Sequence, residues 1–257
     1  MDIVLVGSGN AATVLGRKSK AAGHRIVQVY SRNGNHANLL ANRLGATSTT
    51  YISTIERNAD LMIIAIRDEA LSAFAKDLVQ VRSVVAHTAG AASIELISGV
   101  SKNTGVLYPL QSLHREIEKL PPLTILVDAN NSYAKKVLME FAGTIAETVQ
   151  EADDESRIKY HLAATIVNNF TNYLYTIAEM YCKQEKISFA VLQPLMEETI
   201  VRLRNTSPSR VQTGVAIRDD KTSLEKHREL LRDHPSILKF YDLFTEEIRK
   251  AVQNNKL

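Results

Sequence analysis

Four polar residues in the second half of the chain have the spacing of a chemical site on a helix. His161, Thr165 and Asn168 are four and three residues apart, and Asn169 adjoins the last of them. Such positions share one face of an α-helix. A histidine exchanges protons near neutral pH and amides orient polar ligands, so we predict that His161, Asn168 and Asn169 are catalytic and that Thr165 faces the substrate. In the alternative interpretation these groups hydrogen-bond across a helix interface.

A glycine-rich turn near the N-terminus predicts a dinucleotide site. The run Gly7-Ser8-Gly9-Asn10-Ala11-Ala12 fits the pattern G-x-G-x-x-A between a predicted strand and a predicted helix. The first glycine of this pattern permits the turn, the second lets the backbone approach a pyrophosphate, and the small third residue allows close packing of helix on strand. The helix N-terminus then offers unpaired N–H groups and the positive end of its dipole to the phosphates.

The residues after the second predicted strand favour NADP(H) over NAD(H) as the cofactor. A site for NAD(H) normally has an acidic residue here, which binds the ribose 2′-hydroxyl. In this chain Tyr30 is followed by Ser31, Arg32 and Asn33, without a carboxylate. Arg32 can pair with a 2′-phosphate and Ser31 can donate a hydrogen bond. The alternative is that Arg32 is a solvated loop arginine.

Polar residues also follow three other predicted strands. Ligands of open α/β sheets bind beyond the carboxyl ends of the strands. On this ground we expect Ile66, Arg67 and Thr88 to line the cofactor, and His87 and Gln111 to face a small-molecule substrate. His87 also has a structural interpretation, as a histidine that closes the end of its strand.

The loop TGVAIRDD adds two candidates for substrate binding. Arg218 can anchor an anionic group, and Asp220 lies two residues after it. A surface ion pair is the alternative interpretation of Arg218.

Two regions must position these residues. Short apolar runs alternate with helical patterns up to about residue 150, which predicts an α/β domain over 1–150: a Rossmann-like, doubly wound parallel sheet. Helical periodicity then runs from Asp153 or Asp154 to about Lys186 without Gly or Pro. Further helices are predicted to begin at Thr222 and Pro235, so residues 151–257 are predicted to form an all-α domain.

The composition excludes several classes of protein. The 257 residues carry a formal net charge of +3 and form no basic stripe of the kind that nucleic acid requires. One cysteine, Cys182, makes neither a disulfide nor a zinc site, so we expect no metal and a cytoplasmic setting. No segment approaches the roughly 20 apolar residues of a membrane span, so we expect no membrane partner.

Taken together, the motifs resemble one family over the whole chain. It comprises bacterial proteins with an NADP-binding Rossmann-like domain and a C-terminal helical domain of unknown function, distantly related to 6-phosphogluconate dehydrogenase, 3-hydroxyacid dehydrogenases and pyrroline-5-carboxylate reductase. The resemblance is carried by VGSGNAA, HTAG, YPLQSL, KYHLAATIVNN and TGVAIRDD with His227 downstream. It implies NADP(H) as cofactor, a helical domain like the C-terminal one of 6-phosphogluconate dehydrogenase, and a homodimer formed through that domain.

One departure from the related dehydrogenases keeps two functions open. Those enzymes carry a catalytic lysine in a K-x-x-N-N pattern, and Thr165 stands at the lysine position here. A hydroxyl cannot replace a lysine as acid or base at neutral pH, whereas His161 can. The first hypothesis is an NADP(H)-dependent oxidoreductase that acts on a small ketone, hydroxyacid or imine. The alternative is a non-catalytic, dimeric NADP(H)-binding or sensing protein, and a weaker third is a domain that binds another nucleotide.

Overall fold

Residues 1–116 and 118–254 are described by the computed structural model, and the chain divides into two compact units, Met1–Asn169 and Phe170–Leu257. Within the described residues the first unit is built on a sheet of eight strands. Its strands are β1 (Asp2–Val6), β2 (Arg25–Tyr30), β3 (Thr47–Thr49), β4 (Leu61–Ile64), β5 (Val84–His87), β6 (Thr104–Pro109), β7 (Thr124–Ala129) and β8 (Thr148–Glu151).

The strands lie in the order β3-β2-β1-β4-β5-β6-β7-β8, and all neighbours are parallel except β6 and β7. The helices of the first unit are α1 (Asn10–Ala21), α2 (Gly34–Leu44), α3 (Asp68–Asp77), α4 (Ser132–Ile145) and α5 (Asp154–Ala164). This order is the doubly wound one, and the chain reverses its direction of winding between β1 and β4.

The central strands are buried on both faces. In β1, Ile3 and Leu5 pack into one hydrophobic cluster while Val4 and Val6 pack into a second cluster on the other face. All four side chains have no exposed surface. Strands covered on both sides need apolar residues at every position, which explains the continuous runs in the sequence. The predicted fold class is confirmed.

The antiparallel pairing of β6 with β7 departs from the fully parallel sheet that the sequence predicted. A parallel neighbour needs a crossover connection, usually a helix. The described part of residues 110–123, which link the two strands, contains no helix and includes Pro121 and Pro122. The chain therefore turns back along β6. The sequence analysis also missed α4 and β8.

Helical structure runs from α5 through a π-helical turn (Thr165–Phe170) into α6 (Thr171–Gln184), close to the range that the sequence predicted. The carboxylate of Asp153 caps α5 by accepting a hydrogen bond from the Ser156 amide at 2.8 Å. The π-helical turn was not predicted. Its hydrogen bonds span one residue more than those of an α-helix, which makes the turn wider.

The second unit, described by itself, is helical. Its helices are α6, α7 (Gln193–Leu203), α8 (Pro208–Val211), α9 (Lys221–Leu230) and α10 (Pro235–Gln253). The helix that the sequence predicted from Thr222 is present, but it begins at Lys221 and its capping residue is Asp220. The domain boundary after residue 150 stays a prediction, and residues 255–257 lie outside the described ones.

Within the described residues, no helix is both long enough and apolar enough to cross a membrane.

Candidate active site

A groove of about 520 Å³ lies at the carboxyl ends of β1, β2 and β4. It is at the point where the strand order reverses, which is where open α/β sheets bind their ligands. Eight of the residues predicted to bind the cofactor line it: Gly7, Ser8, Gly9, Ser31, Arg32, Asn33, Ile66 and Arg67. The remaining lining was not predicted from the sequence and consists of Tyr30, His36, Ile52, Ala65, Ala70, Ala73, Phe74 and Asp77.

The turn between β1 and α1 has the backbone that its glycines predict. Gly7 has φ of +120°, and a Cβ atom there would lie 2.2 Å from the Ala65 carbonyl oxygen. Gly9 is the N-cap of α1, has no side chain to cap the helix, and has open space where a Cβ would be. The first turn of α1 contains no acidic residue. Its amides and the positive end of its dipole are therefore available to an anion.

Residues at the end of β2 are tied to this turn. The Ser8 hydroxyl donates to the Ser31 hydroxyl at 2.9 Å, and Asn33 caps α2 by accepting from the His36 amide at 3.1 Å. Arg32 is exposed and lines the groove. The described groove lining includes one carboxylate, that of Asp77, which belongs to the last turn of α3. It is therefore not the acidic residue that NAD(H) sites carry at the end of the second strand.

Four predicted cofactor residues lie outside the lining of the groove. Ala12 is fully buried, as the packing role of its position requires. Ala11 packs against the hydrophobic cluster that contains Ala12, Ile3 and Leu5. The Asn10 side-chain oxygen accepts a hydrogen bond from the Arg115 amide at 3.3 Å. Thr88 follows β5, where its amide donates to the Ile64 carbonyl at 3.1 Å.

A second pocket, of about 540 Å³, brings the predicted catalytic residues together. It is lined by the loop after β6 and by the helical stretch that carries His161. The predicted residues in its lining are Gln111, His161, Thr165, Asn168 and Asn169. Its other lining residues are Leu110, Ser112, Tyr160, Ala163, Ala164 and Val167, so its described lining carries no carboxylate, lysine or arginine.

The π-helical turn arranges the polar groups of this pocket. Thr165 is its first residue, and the Thr165 hydroxyl donates to the His161 carbonyl at 3.0 Å. Asn168 and Asn169 follow in the same turn, and both line the pocket and are exposed. Wider turns of this kind occur frequently at functional sites.

His161 is hydrogen-bonded to a tyrosine that the sequence analysis did not select. The Tyr108 hydroxyl lies 2.9 Å from His161 Nδ1, and the two rings meet edge to face at 5.9 Å. Gly90 makes room for this pair, because a Cβ atom there would lie 2.8 Å from both His161 Nδ1 and Tyr108 Cζ. Burial, followed by the charge of Asp68, raises the pKa of Tyr108, so its hydroxyl keeps its proton at neutral pH. His161, which lines the pocket, is therefore hydrogen-bonded to the protonated hydroxyl of Tyr108, which is not part of the pocket lining.

His87 is a buried residue at the end of β5, in agreement with the structural interpretation of this histidine. It has no exposed surface, and its Nδ1 accepts from the Ala89 amide at 3.2 Å. This hydrogen bond closes the turn after β5. Because the ring is fully buried, a substrate cannot contact it. Burial, followed by the charge of Arg157, lowers the pKa of His87 to about 4.

This buried histidine predicts a loss of stability in mild acid. The folded-state pKa of about 4 lies below the ordinary value of 6.5, so stability is complete above pH 6.5 and is lost as the pH falls towards 4. Between pH 7 and pH 4.5, His87 should lower the free energy of unfolding by about 2–3 kcal/mol. Denaturant titrations at both pH values measure this loss. His87→Asn keeps an acceptor for Ala89 and should remove that part of the loss, whereas an equal pH dependence in the variant would contradict the assignment.

The two remaining predicted residues lie in the second unit. Asp220 caps α9, and its two carboxylate oxygens accept from the Ser223 amide at 3.1 Å and the Ser223 hydroxyl at 2.7 Å. Arg218 is exposed in the turn before α9. The neighbouring Asp219 forms an ion pair with Arg249 of α10. The substrate roles of Arg218 and Asp220 stay predictions.

Two family models match the chain and together span most of it. A Rossmann-like domain matches residues 1–114, and a domain of unknown function, DUF2520, matches residues 123–248. No protein with a curated function matches the sequence.

Solved structures match over nearly the whole length. A protein from Bacteroides fragilis, described as a putative NADP oxidoreductase, shares 32% identity over 97% of this chain and 98% of its own, with a TM-score of 0.88. A Thermotoga maritima protein shares 19% identity over 98% and 99% of the two chains, with a TM-score of 0.80. An imine reductase from Myxococcus stipitatus, solved in complex with NADP+, shares 12% identity over 99% and 95%, with a TM-score of 0.64. The last two show the fold alone.

Proposed function

This chain belongs to the family in which a Rossmann-like domain is followed by the DUF2520 domain, and we propose that it is an NADP(H)-dependent oxidoreductase. Its substrate would be a small ketone, hydroxyacid or imine. The observation that carries the proposal is the presence, in one unit, of a dinucleotide groove and a pocket lined by a hydrogen-bonded histidine. The description of the Bacteroides fragilis relative and the NADP+ complex of the imine reductase support the choice of cofactor.

The groove fits NADP(H) through two features of this chain. Gly9 leaves open space beside the uncapped N-terminus of α1, which suits a pyrophosphate. Arg32 lies in the groove at the end of β2, where its guanidinium can pair with a 2′-phosphate. When bound, the nicotinamide supplies or accepts the hydride of the reaction.

The chain's own part in the chemistry is to hold the substrate and move a proton. His161 lines the pocket and is the proposed catalytic acid or base, and the protonated Tyr108 behind it orients its ring and shares its proton. Asn168 and Asn169 offer amides to orient a carbonyl or imine group. The uncharged lining of the pocket favours a substrate whose reacting end is neutral.

We also propose that the protein is a homodimer through its helical region. Large apolar side chains on α6 and α7 are more than half exposed, including Tyr173 at 54%, Met180 at 54%, Leu195 at 66% and Ile200 at 53%. Clusters of exposed large apolar side chains are a feature of surfaces that bind another protein. Sedimentation velocity measures the oligomeric state, and a monomer at all concentrations would contradict the proposal.

Substitution of Gly9 separates cofactor binding from folding. In Gly9→Ala the new methyl group meets no protein atom within 4 Å, so we expect the free energy of unfolding to stay within about 0.5 kcal/mol of the parent. The same methyl would stand where the pyrophosphate must approach, so NADPH affinity should fall by roughly tenfold or more. Calorimetric titration and thermal unfolding measure the two effects. A variant that binds NADPH as well as the parent would contradict this placement of the pyrophosphate.

Turnover on a substrate panel tests the proposed function. The absorbance of reduced nicotinamide is followed with NADPH and a set of small ketones, ketoacids and cyclic imines, and in reverse with NADP+ and hydroxyacids. We expect turnover with at least one class. NADPH binding without turnover on any member would contradict the enzyme and favour a cofactor sensor.

A further inference from the structure

A buried arginine lies one helical turn before His161. Arg157 of α5 is 1% exposed and is the largest of the fully buried side chains among the described residues. Its Nη2 donates to the Ala92 carbonyl at 2.6 Å and pairs with Asp154, and its Nη1 lies 3.7 Å from Asp128 Oδ2. A buried charge is costly unless its partners are well placed. Both of its hydrogen bonds come from Nη2, whereas Nε and Nη1 have no hydrogen-bond partner among the described residues, so the contact with Asp128 is electrostatic.

Asp128 and Tyr108 lie on one face of the sheet, where Arg157 and His161 of α5 contact them. Strand pairing puts His87, Val106 and Asp128 in one row across β5, β6 and β7. Paired residues of neighbouring strands project to the same side, and Tyr108 follows Val106 by two residues, so it projects there too. Asp128 and Tyr108 are therefore diagonal neighbours on one face, because Tyr108 pairs with Leu126, two residues before Asp128.

This diagonal separation is close to one turn of α5. Arg157 and His161 are four residues apart, a rise of about 6 Å along a helix, and diagonal neighbours on paired strands lie about 7–8 Å apart. Arg157 meets Asp128 and His161 meets Tyr108. Fixing the first contact therefore fixes where the second one falls.

The same arginine holds the turn that adjoins the pair. Ala92 accepts from Arg157, and the Ile94 amide donates to Asp154 at 3.2 Å, so the segment after β5 is tied to the start of α5. This segment also contains Gly90, which packs against the Tyr108 and His161 rings. The arginine thus restrains both sides of the contact.

We propose that Arg157 is a positioning residue, whose contacts with Asp128, Asp154 and the Ala92 carbonyl set the register of α5 on the sheet and so place His161 against Tyr108. The proposal rests on the proposed function for its catalytic meaning, but the placement of the pair can be measured without turnover. The groups that act on the Tyr108 hydroxyl are His161 and Arg157 from α5 and Asp68 from α3. Arg157 opposes the rise in the pKa of Tyr108, so its loss should raise that pKa further.

The test uses two variants of Arg157 and one control on the same helix. Arg157→Met removes the charge, Arg157→Lys keeps the charge without the planar fork, and Lys159→Met breaks the exposed pair of Lys159 with Glu155. The readouts are circular dichroism, the Kd for NADPH, kcat, and an NMR titration of Tyr108 in ¹³C-tyrosine-labelled protein, assigned with Tyr108→Phe.

Both Arg157 variants should keep the Kd for NADPH within about twofold and lose up to roughly fivefold to tenfold in kcat, the loss expected when the His161–Tyr108 hydrogen bond is removed. The Tyr108 pKa should rise in Arg157→Met and change less in Arg157→Lys, while Lys159→Met should match the parent. If Arg157→Met does not fold, Arg157→Lys carries the test.

A folded Arg157 variant with the parental Tyr108 titration and kcat would overturn the proposal. If no substrate turns over in the parent, the proposed function fails, and the Tyr108 titration of Arg157→Lys decides this inference, because that variant keeps the charge and a shift of the Tyr108 pKa then reports a changed placement of the pair.

Discussion

Replacing His161 by alanine should lower turnover by about 100-fold or more, the usual contribution of a general acid or base. His161 is the titratable side chain in the described lining of the second pocket that is hydrogen-bonded to a proton carrier. The Kd for NADPH should change little, because the described lining of the groove does not include His161. Steady-state kinetics on the best substrate of the panel, with calorimetric titration of NADPH, measure both quantities.

Two further variants make this expectation specific. Tyr108→Phe keeps the ring and removes the hydrogen bond to His161, which is worth about 1 kcal/mol, so kcat should fall by roughly fivefold to tenfold. His24 is a matched control, because its Nε2 is also hydrogen-bonded, to the Thr144 hydroxyl at 2.7 Å, before the start of β2. His24→Ala should leave kcat unchanged. A His161→Ala variant as active as the parent would remove His161 from the mechanism.

Replacing Arg32 by aspartate should reverse much of the preference for NADPH. The substitution removes a charge-assisted hydrogen bond, worth about 1.5–3 kcal/mol, and sets a carboxylate against the 2′-phosphate, so NADPH affinity should fall by roughly 100-fold. NADH affinity should hold or improve, because a carboxylate at this position can accept from the 2′-hydroxyl. Calorimetric titrations of both cofactors give the ratio.

Arg25→Asp is the control for this change of charge. Arg25 lies at the opposite end of β2, where it is exposed and pairs with Asp2. The same change in net charge there should leave the ratio of NADPH to NADH affinity as it is in the parent. If Arg32→Asp also leaves the ratio unchanged, Arg32 is a solvated loop arginine.

Local patterns were sufficient to predict the groove. The Gly7–Ala12 turn lies within one strand–turn–helix unit, and Arg32 is the second residue after the next strand, so neither prediction needed distant contacts. His161, Thr165 and the two asparagines were found in the same way, because one helical stretch carries all of them. The structure places this set in one pocket.

The residues that the sequence analysis missed depend on the tertiary fold. Tyr108 is the penultimate residue of a buried strand and has the pattern of a core residue, and only its contact with His161 of α5 reveals another role. Arg157 lies in the polar run ESRIKY, where charged residues are normally exposed, and only its partners on β7 and after β5 explain its burial. β8 escaped prediction because TVQE is an edge strand with little apolar character.

The central claim is that this chain binds NADP(H) in the groove between β1, β2 and β4 and prefers it to NAD(H). Isothermal titration of the full chain with NADPH and with NADH, in one buffer of fixed ionic strength, tests it most directly. The account predicts one site per chain and at least about tenfold tighter binding of NADPH, as expected for one charge-assisted contact with the 2′-phosphate. Equal affinities, tighter binding of NADH, or no binding of either would contradict it.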